Sequence, residues 1–192
     1  MLPEGTGMSE PAQHERTVRS ERKYRGRVVG LRVDEVELPC GEHVTREVVD
    51  HPGAVAIVAL TAAQEVILVQ QYRYATGEVL WELPAGKLEP GEDPLHTARR
   101  ELEEETGCRA EEWTHLAEFY TSPGFCTEKM HVFLATGLET TVPRPEDDEV
   151  IRVSRVNMVK AVNMALHGDI RDAKSIAGIL LAAGRIFLSP PT

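Results

Sequence analysis

The stretch GKLEPGEDPLHTARRELEEETG, Gly86 to Gly107, sets seven acidic side chains against three basic ones, and four of the acids fall between Glu101 and Glu105. The letters around them predict a helix. Asp93-Pro94 is a strong start, because aspartate caps free amides and proline suits the first helical position. Leu95, Ala98 and Leu102 recur at helical spacing, and Gly107 supplies the stop. Glu101, Glu104 and Glu105 then share one face, with β-carbons about 5–6 Å apart. Carboxylates that close repel one another unless a cation intervenes, and hard oxygen ligands suit Mg2+ or Mn2+. Glu103 points elsewhere, towards solvent. For the glutamate run alone, a solvated acidic helix face is the commoner explanation.

Outward from the helix the pattern is mostly strand. Gly86 and Gly91 bracket the loop KLEPG, where glycine lets backbone approach a ligand and where the Ala85 carbonyl is placed to join a metal shell. Glu92 and Arg100 stand about two helical turns apart and are expected to brace loop against helix. Upstream, RVVGLRV, EVEL and HVTREVV alternate, with PCGE as a turn, and AVAIVAL (54–60) reads as a fully buried strand. A polar turn leads to VILVQQYRY and predicts a hairpin. Downstream, WTHLAEFY, KMHVFLAT and VIRV read as strands, followed by helices over NMVKAVNMALHG and DAKSIAGILLAAG. This order predicts an α+β protein, an α/β/α sandwich with a mixed sheet. The expected organisation is a mobile tail over 1–23, an N-terminal β segment over 24–50, and the main domain over 51–192.

Length and charge narrow the classes. A chain of 192 residues holds one domain with a sizeable core, or one domain with an appendage. Its net charge of -10 disfavours binding to nucleic acid. No apolar run reaches membrane length, the polar N-terminus lacks a secretory pattern, and Cys40, Cys108 and Cys126 read as free thiols. A reducing cytoplasm is the expected location.

The full pattern around the acidic run is more specific than the run itself. Gly86, Glu92, Arg100-Glu101, an apolar residue, Glu104-Glu105 in the run, and Gly107 before apolar Cys108 fill every position of one spaced motif. Coincidence at usual residue frequencies is on the order of one in a million along such a chain. The stretch resembles the Nudix box of hydrolases that cleave nucleoside diphosphates linked to another group. REVVDHPGAVAIV, QQYRYATGEVLWELPAGKLEPGE, FYTSPGF and DAKS resemble the ADP-ribose pyrophosphatases within that family, as does Pro123, fifteen residues beyond Cys108.

The resemblance implies a Nudix fold and hydrolysis of ADP-ribose, or a related nucleoside diphosphate sugar, to AMP and ribose 5-phosphate. It implies a Mg2+ site, with Mn2+ as an alternative, on Glu101, Glu104, Glu105 and the Ala85 carbonyl, with Glu104 and Glu105 catalytic. It implies a further acid from the loop PRPEDDEVIRV, Asp147 or Glu149. It assigns Arg46, Glu47, Arg73, Ser122, Pro123 and Gly124 to the substrate; either arginine is equally read as a surface ion-pair partner. Gly86, Glu92, Arg100 and Gly107 are structural parts of the motif. One departure stands out: where relatives offer a first-strand ring to adenine, this chain has Val28-Val29, with Tyr24 the nearest ring. The family further implies a homodimer assembled through the N-terminal strands, so that Arg46 and Glu47 serve a partner's site. Other readings are a hydrolase of dinucleoside polyphosphates or oxidised nucleotides, and a non-catalytic ligand sensor; the intact glutamates argue against the sensor.

Overall fold

The computed structural model describes residues 14–142 and 150–188 as two compact units, one running through His51 and taking in Gly124–Thr127, the other holding the remainder. The N-terminal unit is an antiparallel meander of β1 (Arg16–Arg25), β2 (Gly30–Glu37) and β3 (His43–Asp50). β2 and β3 meet at the expected turn, where Gly41 takes φ 86° and the Leu38 amide donates to the Glu42 carbonyl at 2.8 Å. Val36 and Asp34 are its buried side chains. Gly124–Thr127 joins by backbone pairing: the Val49 amide donates to Phe125 at 2.7 Å, and the Thr127 amide donates to Val49 at 3.0 Å.

Here the sequence reading is corrected at the start. β1 begins at Arg16, inside the span assigned to a tail, and the expected strand RVVGLRV (27–33) starts only at Gly30, after a turn at Gly26–Val29. Every residue of β1 is exposed, so it has no apolar alternation to betray it. What defines it is backbone pairing to β2 and a cross-strand ion pair between Arg16 and Glu37.

The second unit carries the sandwich. One sheet runs β7 (Ala85–Lys87), β4 (Ala54–Ala59), β9 (Lys129–Thr140), β8 (Cys108–Tyr120), with β4 and β9 parallel. β4 is buried throughout and feeds two cores by strand alternation. Ala56 and Val58 join Val132, Met158 and Ile179 on the side of α2 (Met158–His167) and α3 (Ala173–Leu188). Val55 and Ile57 join Ala98, Leu102 and Phe133 on the side of α1 (Pro94–Thr106). A second sheet, β10 (Ile151–Asn157), β5 (Glu65–Arg73), β6 (Glu78–Glu82), is antiparallel.

The expected β4–β5 hairpin is reduced to its turn, where the Thr61 amide donates to the Glu65 carbonyl at 2.9 Å, and no ladder continues from it. Between them the only bridge among the described residues is Leu60 with Val66, and β5 ladders with β10 and β6 instead. A tight turn in which Gln64 adopts φ 59° sends the chain from one sheet to the other. Both strands are apolar and close in sequence, and alternation does not record which sheet a strand joins. No helix among the described residues is long and apolar enough to cross a membrane.

Candidate functional site

α1 starts and stops where the sequence predicts. The Asp93 carboxylate accepts from the Leu95 and His96 amides at 3.0 and 3.1 Å, Pro94 occupies the first turn, and Gly107 closes the helix at φ 63°. Such a cap is worth about 1 kcal/mol. Ala98 and Leu102 are fully buried, which fixes the rotation of the helix and so the direction of its acids.

The acids gather around one guanidinium. Arg100 Nη1 lies 2.8 Å from Glu101 and 3.0 Å from Glu104, and Arg100 reaches Glu92 at 3.4 Å. The bracing pair of Glu92 and Arg100 is thus present. Burial opposes ionisation of Glu92, but hydrogen bonds from His96, Arg100 and the Glu89 amide overcome it and hold its carboxyl at about 2. Burial likewise opposes the Arg100 charge, and the surrounding carboxylates outweigh it and push that arginine upward.

Glu105 sits deepest, 4% exposed, and accepts from the Ala85 amide at 3.1 Å. Glu101 lies so close to Gly86 that a β-carbon there would collide with its carboxylate. Glycine at this position is required by space, not by an unusual φ. Glu103 does face outward, held by Arg109 at 2.6 Å.

The Ala85 segment is itself anchored from behind, by residues to which the sequence reading gave no role. The Leu83 amide donates to the buried Ser175 hydroxyl at 2.7 Å, and that hydroxyl donates to Asp172. A β-carbon on Gly178 would sit 2.6 Å from Leu83, so α3 packs tightly here. Glu82, 1% exposed, accepts both Nε and Nη2 of Arg73 at 2.7 Å and Lys174 Nζ at 2.5 Å, and Lys174 also reaches Asp172 at 2.9 Å. Burial raises the Glu82 carboxyl, but its two cations prevail and the net direction is down. Glu82 and Lys174 lay inside the quoted WELPAG and DAKS stretches; a charged letter within an apolar strand was the available signal.

The remaining expected residues divide as follows. Arg73 is engaged with Glu82 as a half-buried pair. Arg46 and Glu47 lie on β3 in the N-terminal unit, where Arg46 bonds Glu15 at 2.6 and 3.0 Å. Ser122 and Pro123 end the second unit's segment, and Gly124 begins the short piece that belongs to the first. Val28-Val29 falls in the exposed turn after β1, not in a strand, and Tyr24 is exposed on β1. Asp147 and Glu149 lie outside the described residues. A cavity of about 640 Å³ lined by Leu60, Thr61, Gln64, Cys108, Thr136 and Arg155, among others, includes none of the α1 carboxylates.

The donor set on α1, carboxylate oxygens next to a backbone turn, fits a hard divalent cation. The family described as the NUDIX domain matches residues 50–177. An ADP-ribose pyrophosphatase of Bacillus subtilis (strain 168) is 44% identical over 86% of this chain and 90% of its own length. A methanol dehydrogenase activator of Bacillus methanolicus is 42% identical over the same shares. Among solved structures, an ADP compounds hydrolase superposes with a TM-score of 0.82 at 22% identity, covering 93% of this chain and 97% of that one, a likeness of fold.

Proposed function

The chain belongs to the NUDIX family and is a Nudix pyrophosphohydrolase, and from that premise we propose that it hydrolyses the diphosphate bridge of ADP-ribose to AMP and ribose 5-phosphate. The observation that carries the reading is the convergence of Glu101 and Glu104 on Arg100, beside buried Glu105 and a glycine with no room for a side chain. Nudix hydrolases use divalent metal ions, and we assign Mg2+ here to Glu101, Glu104, Glu105 and the Ala85 carbonyl. The cation supplies charge neutralisation to a diphosphate and acidity to a bound water.

The chain's own residues set up that chemistry. Arg100 offsets the repulsion among Glu92, Glu101 and Glu104 and holds their carboxylates in place. The Ala85 amide fixes Glu105, and Ser175 with Asp172 fixes the strand end that carries Ala85. Catalysis by such a site is mostly positioning and electrostatic stabilisation. Glu104 or Glu105 receives the proton of the attacking water, or a loop acid such as Glu149 does. Arg73, Arg46, Glu47 and the Ser122-Pro123-Gly124 segment are assigned to the nucleotide sugar; Arg73 would meet phosphate while keeping its bond to Glu82. A cytoplasmic homodimer joined through the N-terminal strands completes the proposal.

The test is a substrate panel. The protein is incubated with Mg2+ and ADP-ribose, NADH, ADP-glucose, diadenosine polyphosphates or nucleoside triphosphates, and product release is followed. ADP-ribose is expected to give the highest kcat/KM, with AMP as product, and chelation to abolish it. Preference for a triphosphate or a dinucleoside polyphosphate would overturn the substrate assignment, and no hydrolysis of any compound would favour a ligand-sensing role.

A further inference from the structure

The hairpin of β8 and β9 carries a second group of metal-ligating side chains, chemically unlike the first. His115, Glu118 and His131 each offer an atom, two ring nitrogens and a carboxylate oxygen, all within 4.8 Å of one another. In a regular strand, residues three apart point to opposite faces. Here the register shifts between His115, opposite Phe133, and Ala117, opposite Val132, so Leu116 is an extra residue. This bulge turns Glu118 onto the face of His115, where His131 is already its cross-strand partner. Inserted residues of this kind re-aim side chains next to functional sites.

We infer that His115, Glu118 and His131 form a binding site for a borderline transition cation such as Zn2+, separate from the carboxylates of α1. Two imidazoles and one carboxylate, with water in the fourth position, make a recognised zinc donor set. Tetrahedral coordination at about 2.0–2.1 Å places ligand atoms roughly 3.4 Å apart, a spacing that small side-chain rotations reach from the present one.

The surroundings prepare these rings and leave a position open. His115 packs edge-on against Phe133 with centroids 5.3 Å apart, and Phe133 is held in turn by Trp113 at 6.3 Å. His131 is 15% exposed and lies 3.6 Å from one oxygen of Glu118. Lys129 binds the other oxygen at 2.7 Å, so one oxygen is oriented and the other remains for an ion. A solvated ion pair needs one histidine at most; a bulge that brings a second to the same carboxylate is what metal coordination needs. Nitrogen donors favour zinc, cobalt, nickel or copper, whereas the all-oxygen set on α1 favours magnesium. The two sites therefore sort cations by ligand type, and the hairpin site acts as a clip across β8 and β9.

The experiment uses the full chain, stripped of metal and dialysed into millimolar MgCl2. Zinc is titrated with calorimetric readout, and Co2+ is added separately as a visible-absorption probe of tetrahedral coordination. One zinc per chain is expected at micromolar affinity or tighter, with a raised thermal midpoint. His115→Ala and His131→Ala should each weaken binding by about 100-fold and remove the thermal shift, while circular dichroism and Mg2+-dependent hydrolysis stay unchanged. The doubly substituted Glu101→Gln/Glu104→Gln chain should bind zinc as the parent does. The inference fails if zinc binds equally to both histidine variants, if the double glutamine chain loses it, or if the parent binds none up to millimolar zinc in magnesium.

Discussion

Two groups of acids in the same unit, the Glu82 cluster and the α1 cluster, differ in how their charge is met. Glu82 is almost completely buried, yet Arg73 and Lys174 both reach it, and Lys174 also serves Asp172. Acids and cations there balance, and the carboxyl is held below its ordinary value by its partners against burial. At α1, Glu92 of the preceding loop shares Arg100 with Glu101 and Glu104 of the helix, with Glu105 close behind, and the set keeps a net negative charge. The difference is that the neutral cluster is complete within the chain, whereas the negative one leaves charge that, on the function proposed above, a divalent cation offsets.

The sharpest way to break this comparison is to neutralise one acid in each. Glu104→Gln or Glu105→Gln is expected to lower kcat on ADP-ribose roughly 10^2–10^4-fold with the melting midpoint little changed, because glutamine keeps the shape and the Ala85 hydrogen bond. Steady-state kinetics with saturating Mg2+ reads this; turnover within a factor of about three would remove both acids from the site. Glu82→Gln is expected to act on stability instead. It leaves Arg73 and Lys174 facing a neutral group, at a cost of about 3 kcal/mol, the low end for a broken buried pair because Arg73 is half exposed. Thermal denaturation measures it, and an unchanged midpoint would mean that the cluster contributes little to folding.

Gly86→Ala probes the packing of the negative cluster rather than its charge. The added β-carbon must displace the Glu101 carboxylate, and if Glu101 holds the proposed cation a misplacement of about 1 Å is expected to cost about 10^2-fold in rate. Full activity would show that Glu101 has slack which the close approach denies.

How much of this was legible in advance follows from what each feature depends on. The helix from Pro94 to Thr106, its caps and its acidic face rest on local spacing, and local spacing is what sequence records. The fully buried β4 was equally plain from its apolar run. β1 was missed because none of its side chains is buried, so only pairing reveals it. The β4–β5 turn was plain from its polar letters, but the ladder expected beyond it does not form, because sheet membership is decided by β10, eighty or more residues away. Gly86 was visible as a motif glycine, but its reason, the press of Glu101, is a tertiary contact. Glu82 escaped notice for the same cause: its partners Arg73 and Lys174 come together only in the fold.

Acid sharpens the comparison further, through the brace between loop and helix. The Glu92 carboxyl lies at about 2 when folded, against an ordinary value of 4.5, so the unfolded chain takes up the proton first as pH falls. The stabilisation by this group is complete above about 4.5 and is lost progressively between there and about 2. The difference in melting midpoint between the parent and Glu92→Gln should accordingly be largest near neutral pH and shrink below pH 4.5. A difference that grew with acid would reverse the assigned direction. Glu82, also depressed, adds acid sensitivity of the same sign to both proteins and cancels in the comparison.

The smallest effect belongs to the acid of the run that faces away. Glu103 pairs with Arg109 at the surface, where exposed ion pairs contribute little and are screened by salt. Glu103→Gln is expected to leave both kcat and the melting midpoint within error of the parent, at low and at physiological salt. The contrast with Glu104→Gln, one residue along, is the point of the measurement. Both changes remove one negative charge from the same turn of the same helix, so a general dependence on acidity of α1 would make them alike. Only helix phase separates them, since rotation set by buried Ala98 and Leu102 turns one carboxylate to Arg100 and the other to Arg109. A turnover loss in Glu103→Gln approaching that of Glu104→Gln would mean that the helix works as a diffuse negative surface, not as a set of placed ligands.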